Sequence, residues 1–433
     1  MRRRFFLRLA AILVAGPALA EATPPLGASP QAGPPSPPKP SDLLGAAGDP
    51  AFLDWLNGFY ARELAAGWST TVLAQALDGL APDPRVLARN AAQPEFALPV
   101  SDYVARNLTP GVVALGKSRR DSVAAFPKIV ETYGVPADIL TAIWGMESGF
   151  GANVGDMDVV RSLATLAAEV PGRKAWAETE LEACVKLVGS GAARRGQLKG
   201  SWAGAMGQTQ ILPSALLATA VSAAGAGKPD IWGSGADALA SAANLLAKSG
   251  WRRDEGWAVE MALAPKFDFG LSEGPKQPPA WWADQGARRA DGRPWTDADA
   301  AALAQLILPA GASGPAFLVF PNHFVIRTYN NSLAYALSVG LLADRLAGGG
   351  PLTRAWPKEV ALSLEDRMAA QSALAKLGYE PGPPDGLIGV GTRQALRAWQ
   401  KDQKLPADGY LTPALVARLK TAVAAGSHAA SPA

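Results

Sequence analysis

The 433 residues are 48% hydrophobic and 18% charged with a net charge of +3, enough apolar content for two or three full-sized cores. That balance is too weakly basic to argue for nucleic acid. One cysteine, Cys184, excludes an intramolecular disulfide, and two histidines, His323 and His428, with no ligand cluster around them, give no case for a metal or other cofactor.

In chain order, residues 1–20 have the form of a secretory signal. Arg2, Arg3, Arg4 and Arg8 precede an apolar run from Leu9 to Val14, and Ala18-Leu19-Ala20 offers a small-x-small cleavage site. The run is short for a membrane span, so the expectation is an exported, periplasmic protein without a stable membrane anchor after cleavage. Arg3-Arg4 ahead of Phe6-Leu7 also resembles a twin-arginine signal, which leaves the export route open. Residues 21–50, rich in Pro, Ala, Gly and Ser, cannot bury a core and read as a disordered spacer.

From there the pattern is mainly α. Apolar periodicity runs through Phe52–Gly67 and Val72–Leu80 and is broken by Pro82 and Pro84. A short polar segment, Ser101–Lys117, carries Tyr103, and a helix is predicted over roughly Ser118–Tyr133. Further helices are predicted over Val135–Gly151, Leu163–Val170 and Lys174–Val188, the last holding Cys184 as a small core residue. The best strand signal is Phe317–Tyr329.

The stretch VPADILTAIWGMESGFG organises the rest. Pro136 suits the first helical position, Asp138 suits the positive end of the helix dipole, and Gly149 and Gly151 end the helix. Ile139, Ile143 and Met146 recur at helical spacing, and Glu147, one turn after Ile143, shares their apolar face. A carboxyl in such surroundings should keep its proton to higher pH, as a general acid cleaving a glycosidic bond requires. A surface Glu near a helix end fits the spacing equally well.

Two other segments do not pattern as packing helices. GSWAGAMGQTQILPSA, residues 200–215, is dense in small residues that let backbone approach a ligand, and Ser201, Gln208 and Gln210 supply neutral donors and acceptors suited to uncharged sugars. A glycine-rich turn without a ligand is the simpler reading of that segment alone. In TYNNSLAY, Asn331 or Ser332 can cap the helix that follows, which leaves Tyr329, Asn330 and Tyr335 for stacking and hydrogen bonds or for half-buried packing.

GGGPLTRAWPKEV reads as a linker, residues 348–362, before a module over 363–422 and a disordered tail over 423–433. In that module Leu374 and Leu377, Leu396 and Trp399, and Leu415 and Leu419 mark three helices. Asp385-Gly386 before Thr392 and Asp408-Gly409 before Thr412 repeat a turn in which Gly bends the chain and Thr caps the next helix.

The segments GMESGFG, KGSWAGAMGQTQILPSA, IWGSGADALASAANLL, LPAGASGPAFLVF and RTYNNSLAYALSVGLLADRL, in this order, resemble lytic murein transglycosylases of the membrane-bound B type over about Ala51–Leu346. The last module resembles a small peptidoglycan-binding domain. The resemblance implies a lysozyme-like catalytic domain with a long groove over 51–347. It implies cleavage of the bond between N-acetylmuramic acid and N-acetylglucosamine in peptidoglycan strands, without water, to give 1,6-anhydromuramyl ends. By resemblance Glu147 is the single acid and then base, and Tyr103, Ser201, Gln210, Tyr329, Asn330 and Tyr335 bind substrate; the pattern of residues 200–215 adds Gln208 to that set. Asp156 and Asp158 read as structural or solvated, so no second acid is found. Leu245 departs from the tyrosine many relatives carry, and the lipid-attachment cysteine is missing. A hydrolytic muramidase and a non-catalytic wall-binding protein are the competing readings.

Overall fold

The computed structural model describes residues 39–91 and 98–429, with side chains to residue 425. The signal-like segment and most of the Pro-rich stretch lie outside these residues. Order begins earlier than the sequence suggests. Helix α1 (Pro40–Leu43) precedes α2 (Pro50–Ala65), and Leu44 is fully buried while the Ser41 N–H donates to Asn57 Oδ1 at 2.8 Å. The spacer reading therefore fails from Pro40 onward, because one leucine and one backbone hydrogen bond fasten this stretch onto α2. Asp49 caps α2 by accepting from the Phe52 N–H, with Pro50 in its first turn. Helices α3 (Thr70–Leu77) and α4 (Pro84–Ala91) complete this group.

The segment expected to be polar and then one long helix is instead three helices: α5 (Val100–Asn107), α6 (Pro110–Asp121) and α7 (Phe126–Tyr133). Thr109 caps α6 ahead of Pro110, a start signal that outweighs the weak apolar pattern between them. Helix α8 spans Ala137–Ser148. Pro136 sits just before it with extended ψ rather than inside its first turn, and Asp138 pairs with Arg120 at 2.6 Å. Ile139, Leu140, Ile143 and Trp144 are buried, each such side chain contributing about 1.5–3 kcal/mol. Met146 is only half-buried, so the apolar stripe narrows toward Glu147.

The chain continues through β1 (Met157–Asp158), α9 (Val159–Glu169), α10 (Lys174–Gly189), β2 (Lys199–Gly200), α11 (Pro213–Thr219) and α12 (Gly235–Lys248). Asp158 caps α9 and pairs with Arg195 at 2.5 Å, which makes it structural. Cys184 is fully buried in α10, and burial pushes its thiol well up. Next come β3 (Ala258–Leu263), α13 (Pro279–Asp284), β4 (Ala287–Arg289), α14 (Asp297–Ala301), β5 (Gln305–Ile307) and β6 (Ala316–Val319). The four longer strands form one antiparallel sheet in the order β4-β3-β6-β5. Along β6, Phe317 and Val319 face the core that holds α8, while Ala316 and Leu318 face a second core around Trp282, the two-residue period of a strand buried on both faces.

The Phe317–Tyr329 strand expectation holds only for its first residues. Pro321 opens α15 (Pro321–Tyr329), followed by α16 (Leu333–Leu346) with Ser332 as its cap. Proline at a helix start competes with the extended pattern and wins here.

The C-terminal module is α17 (Leu364–Lys376), α18 (Val390–Asp402) and α19 (Pro413–Ala429), packed on Leu374, Leu396, Trp399 and Leu419. Its helix continues to Ala429 where a frayed tail was expected. The two turns are repeats in structure as well as sequence. The Gly386 and Gly409 N–H groups, both at left-handed φ, donate at 2.7 and 2.8 Å to the side-chain carbonyls of Gln371 and Gln400. The threonines differ: Thr412 caps α19, but Thr392 lies inside α18, where its hydroxyl donates to the Pro381 carbonyl. The stretch 348–362 is no free linker. Thr353 and Arg354 N–H groups each donate at 2.7 Å to the Glu260 carboxylate, and Trp356 packs on Phe317. The module itself docks on the rest of the chain, with Glu273 between Arg393 and Arg397 at 2.7 Å each, and Asp408 accepting from the Ala312 N–H at 2.8 Å.

Candidate active site

Helix α8 stops where Gly149 turns left-handed, with φ of 58°. This leaves Glu147 in the last turn, half-buried, at the junction of two helical cores, both of which Tyr329 touches. The chain then makes a strained bend. Phe150, a bulky residue at φ of 61°, is buried edge-on against Trp144. Gln210, on the facing loop, also has positive φ, at 49°. Such non-glycine positions cost of order 1–3 kcal/mol each and persist only where the surroundings over-determine them.

The facing loop is the glycine-rich segment after β2, and α8 is stapled to it. The Ser148 hydroxyl donates to the Gln208 carbonyl at 2.5 Å and accepts from the Gly151 N–H at 2.8 Å. Trp144 Nε1 donates to Gln208 Oε1 at 3.1 Å, and Gln208 Nε2 donates to the Trp232 carbonyl at 3.1 Å. A Cβ on Gly151 would lie 2.6 Å from Gln208 Oε1, so this approach needs glycine.

The acid is met from the other side by α16. The Tyr335 hydroxyl donates to Glu147 Oε1 at 2.5 Å, and Tyr335 is buried. Its backbone is fixed by the Ser332 cap, whose oxygen accepts from the Tyr335 N–H at 3.2 Å. Tyr329, at the end of α15, donates its hydroxyl to the Thr209 carbonyl. Burial first, and the Glu147 charge second, raise both phenols above their ordinary range, so both stay neutral donors. The Tyr335 hydroxyl also senses Tyr329 and Tyr103, so Tyr103 lies in the neighbourhood of Tyr335.

The residues singled out in the sequence therefore separate into groups. Glu147, Tyr335, Tyr329 and Tyr103 converge. Gln208 lies behind them, buried with both amide atoms engaged, and builds the wall rather than lining it. Ser201 accepts from the Ala203 and Ala205 N–H groups at 3.3 and 3.1 Å and shapes the loop. Gln210 Nε2 donates to the Val154 and Gly207 carbonyls at 2.9 and 2.8 Å. Asn330 ends α15, and its carbonyl accepts from the Ser332 N–H at 2.8 Å. Leu245, the departure noted above, is half-buried on α12. Ser148 and Trp144 were missed as site-building residues. A serine at the end of an otherwise apolar helix was the available signal for the first.

No group of three or more His, Cys, Asp or Glu among the described residues could hold a metal. One carboxyl at a helix end met by a neutral donor, on a mainly helical frame, accords with a lysozyme-like fold. Comparison with known proteins makes the assignment specific. The transglycosylase SLT domain family matches residues 51–344, and the chain belongs to that family. A putative peptidoglycan binding domain matches residues 363–419. Membrane-bound lytic murein transglycosylase B of Escherichia coli (strain K12) is 32% identical over 217 residues, which are 50% of this chain and 58% of that protein. The chain thus spans a little over half the length of that curated relative. The crystal structure of SltB3 from Pseudomonas aeruginosa in complex with NAG-anhNAM-pentapeptide is similar with a TM-score of 0.81 and 43% identity, covering 86% of this chain and 100% of that one. Soluble lytic transglycosylase SltB1 from Pseudomonas aeruginosa follows with a TM-score of 0.61 and 25% identity, covering 68% of this chain and 98% of that one.

Proposed function

We propose that this chain is a peptidoglycan lytic transglycosylase, with a catalytic unit over 51–347 and a wall-binding module over 363–422. It cleaves the β-1,4 bond between N-acetylmuramic acid and N-acetylglucosamine. The observation that carries the reading is the single carboxyl of Glu147 held by the neutral Tyr335 hydroxyl at 2.5 Å. Protonated Glu147 gives its proton to the leaving glycosidic oxygen as the bond from the muramyl anomeric carbon breaks. The resulting carboxylate then takes the proton of the same sugar's C6 hydroxyl, whose oxygen bonds to that carbon and closes a 1,6-anhydro ring. One group serves as acid and then base, and the proton count balances without water.

Tyr335 orients the acid, and a neutral phenol does so without adding charge. Tyr103, Tyr329, Asn330, Ser201 and Gln210 present aromatic faces and neutral polar atoms to the sugars, matched to uncharged hydroxyl and acetamido groups. The product ring of the ligand in the Pseudomonas aeruginosa SltB3 complex supports the non-hydrolytic course. None of the helices formed by the described residues is long and apolar enough to cross a membrane, which accords with an exported enzyme working in the periplasm once residues 1–20 are removed. Mass spectrometry of sugars released from purified sacculi tests the reaction. Anhydromuramyl ends support it, reducing ends make the protein a hydrolase, and binding without release makes it a wall-binding protein.

A further inference from the structure

Between the catalytic unit and the C-terminal module lies a cavity of about 640 Å³, within the usual size of ligand pockets. Its walls come from α15, the start of α16, β5, the stretch before α17 and the first turn of α18. Its charge is unbalanced. Among the described residues that line it, Glu273 is the sole acid, and Arg327, Arg367 and Arg393 are the bases. Glu273 is held by Arg393 and by Arg397 behind it. The ion pairs among the described residues give Arg327 and Arg367 no carboxylate.

Arg327 reaches Asn331 Oδ1 at 2.8 Å through Nη2, while its Nε is buried without a partner. Arg367 is spent on two backbone carbonyls, those of Gly386 and Leu362, which position its charge without neutralising it. His323, 1% exposed and lining the same cavity, has an unpartnered Nδ1. Burial and the neighbouring Arg393 both work against the Arg327 charge, and Glu273 offsets part of that. A partly buried guanidinium with no ion-pair partner of its own, set in the wall of a cavity, is a site for an anion.

The rim is apolar. Val360, Leu387 and Val390 line the cavity although each is more than half exposed, and Leu364 and Met368 continue that exposed surface on α17. Cationic floor and apolar rim together suit a short peptide with free carboxylates and small apolar side chains. Simple anions would not need the rim, and sugar hydroxyl and acetamido groups would not need the arginines. The position fits a branch of the glycan: Ser332 lines the cavity, and Tyr335, three residues on in α16, touches Glu147.

We infer that this cavity is a subsite for the carboxylate-bearing peptide carried by the glycan strand, held by Arg327 and Arg367 while the sugars occupy the groove at Glu147. This rests on the reading of the groove as a peptidoglycan site. Calorimetric titration of the full chain carrying Glu147→Gln, to stop turnover, tests it. The probes are a GlcNAc–MurNAc–pentapeptide, the same disaccharide without peptide and with its lactyl carboxyl amidated, and the pentapeptide form with its carboxylates amidated. The peptide-bearing probe should bind about tenfold tighter than the bare disaccharide, the scale of one charge-assisted hydrogen bond. Amidation, Arg327→Gln or Arg367→Gln should each remove most of that gap and leave bare-disaccharide affinity unchanged, and Arg327→Lys should keep part of it.

Equal affinity for the two unmodified probes overturns the inference. So does a gap that survives amidation and both glutamine variants. Should a glutamine variant not fold, the amidated probe on the parent chain decides alone. Cleavage of peptide-free strands by the wild-type chain reports separately on the proposed function. Lost cleavage with the peptide preference intact would fell that function and keep the subsite.

Discussion

Two glutamates, Glu147 and Glu273, carry the two most informative places in this molecule, and their surroundings are opposite. Glu147 is met by a neutral phenol, whose hydroxyl orients it. Glu273 is met by two guanidinium groups. Burial alone would raise the Glu273 carboxyl, but hydrogen bonds and charge from Arg393 and Arg397 outweigh it and hold the group below its ordinary value of 4.5. On the proposed function the first carboxyl exchanges a proton, whereas the second is fixed as an anion, a clasp between domains. On that proposal the same side chain serves chemistry in one place and architecture in the other, and the donors around it differ accordingly.

The largest effect should come from Glu147→Gln, which keeps the shape and an acceptor for Tyr335 but cannot transfer a proton. Turnover of sacculi should fall about 1000-fold or more, with the melting temperature held. A variant that keeps a tenth of wild-type activity would break the contrast at its first pole. Glu273→Gln tests the second pole. It leaves two guanidinium groups facing each other, at a cost of about 3 kcal/mol to the docked arrangement, read as a lower melting temperature and faster proteolysis within 348–362.

The clasp also has a pH signature. Its folded-state pKa is depressed, so its contribution is present above 4.5 and is lost as pH falls through the lower folded value. His323 behaves in parallel for a different reason. Burial, then the Arg327 charge, lower it from 6.5 to about 3, so an unfolded chain takes up a proton below 6.5 that the folded one refuses. Stability is full above 6.5 and declines toward 3, by about 2 kcal/mol at pH 5. His323→Phe, which keeps an aromatic ring against Trp257, should shrink the difference between melting temperatures at pH 7 and pH 5. The smallest effect belongs to Tyr335→Phe. Losing one hydrogen bond to the acid should cost about tenfold in kcat with KM nearly unchanged.

How much of this was legible in the sequence differs between the two poles. The helix that carries Glu147 and its end at Gly149 followed from periodicity and glycine alone, whereas spacing left Glu147 equally readable as a surface residue. The burial of Gln208 was not legible, since a glutamine's partners depend on which backbone carbonyl and indole a distant segment presents. The β6–α15 boundary was misread because Pro321 restarts the chain as a helix inside a run that looks extended. The clasp was invisible: Glu273 lies in a polar loop, and its partners stand 120 residues or more along the chain. A stretch with GGG and two prolines reads as a tether, yet Glu260 and Phe317 pin it. Long-range ion pairs leave no local pattern to read.

The central claim is that one carboxyl does both proton transfers and water takes no part. Digesting sacculi in water labelled with heavy oxygen tests it directly. Muramyl ends should carry no label and be lighter by one water than reducing ends. Labelled reducing ends from the wild-type chain, absent with Glu147→Gln, would contradict it and assign the same acid to hydrolysis.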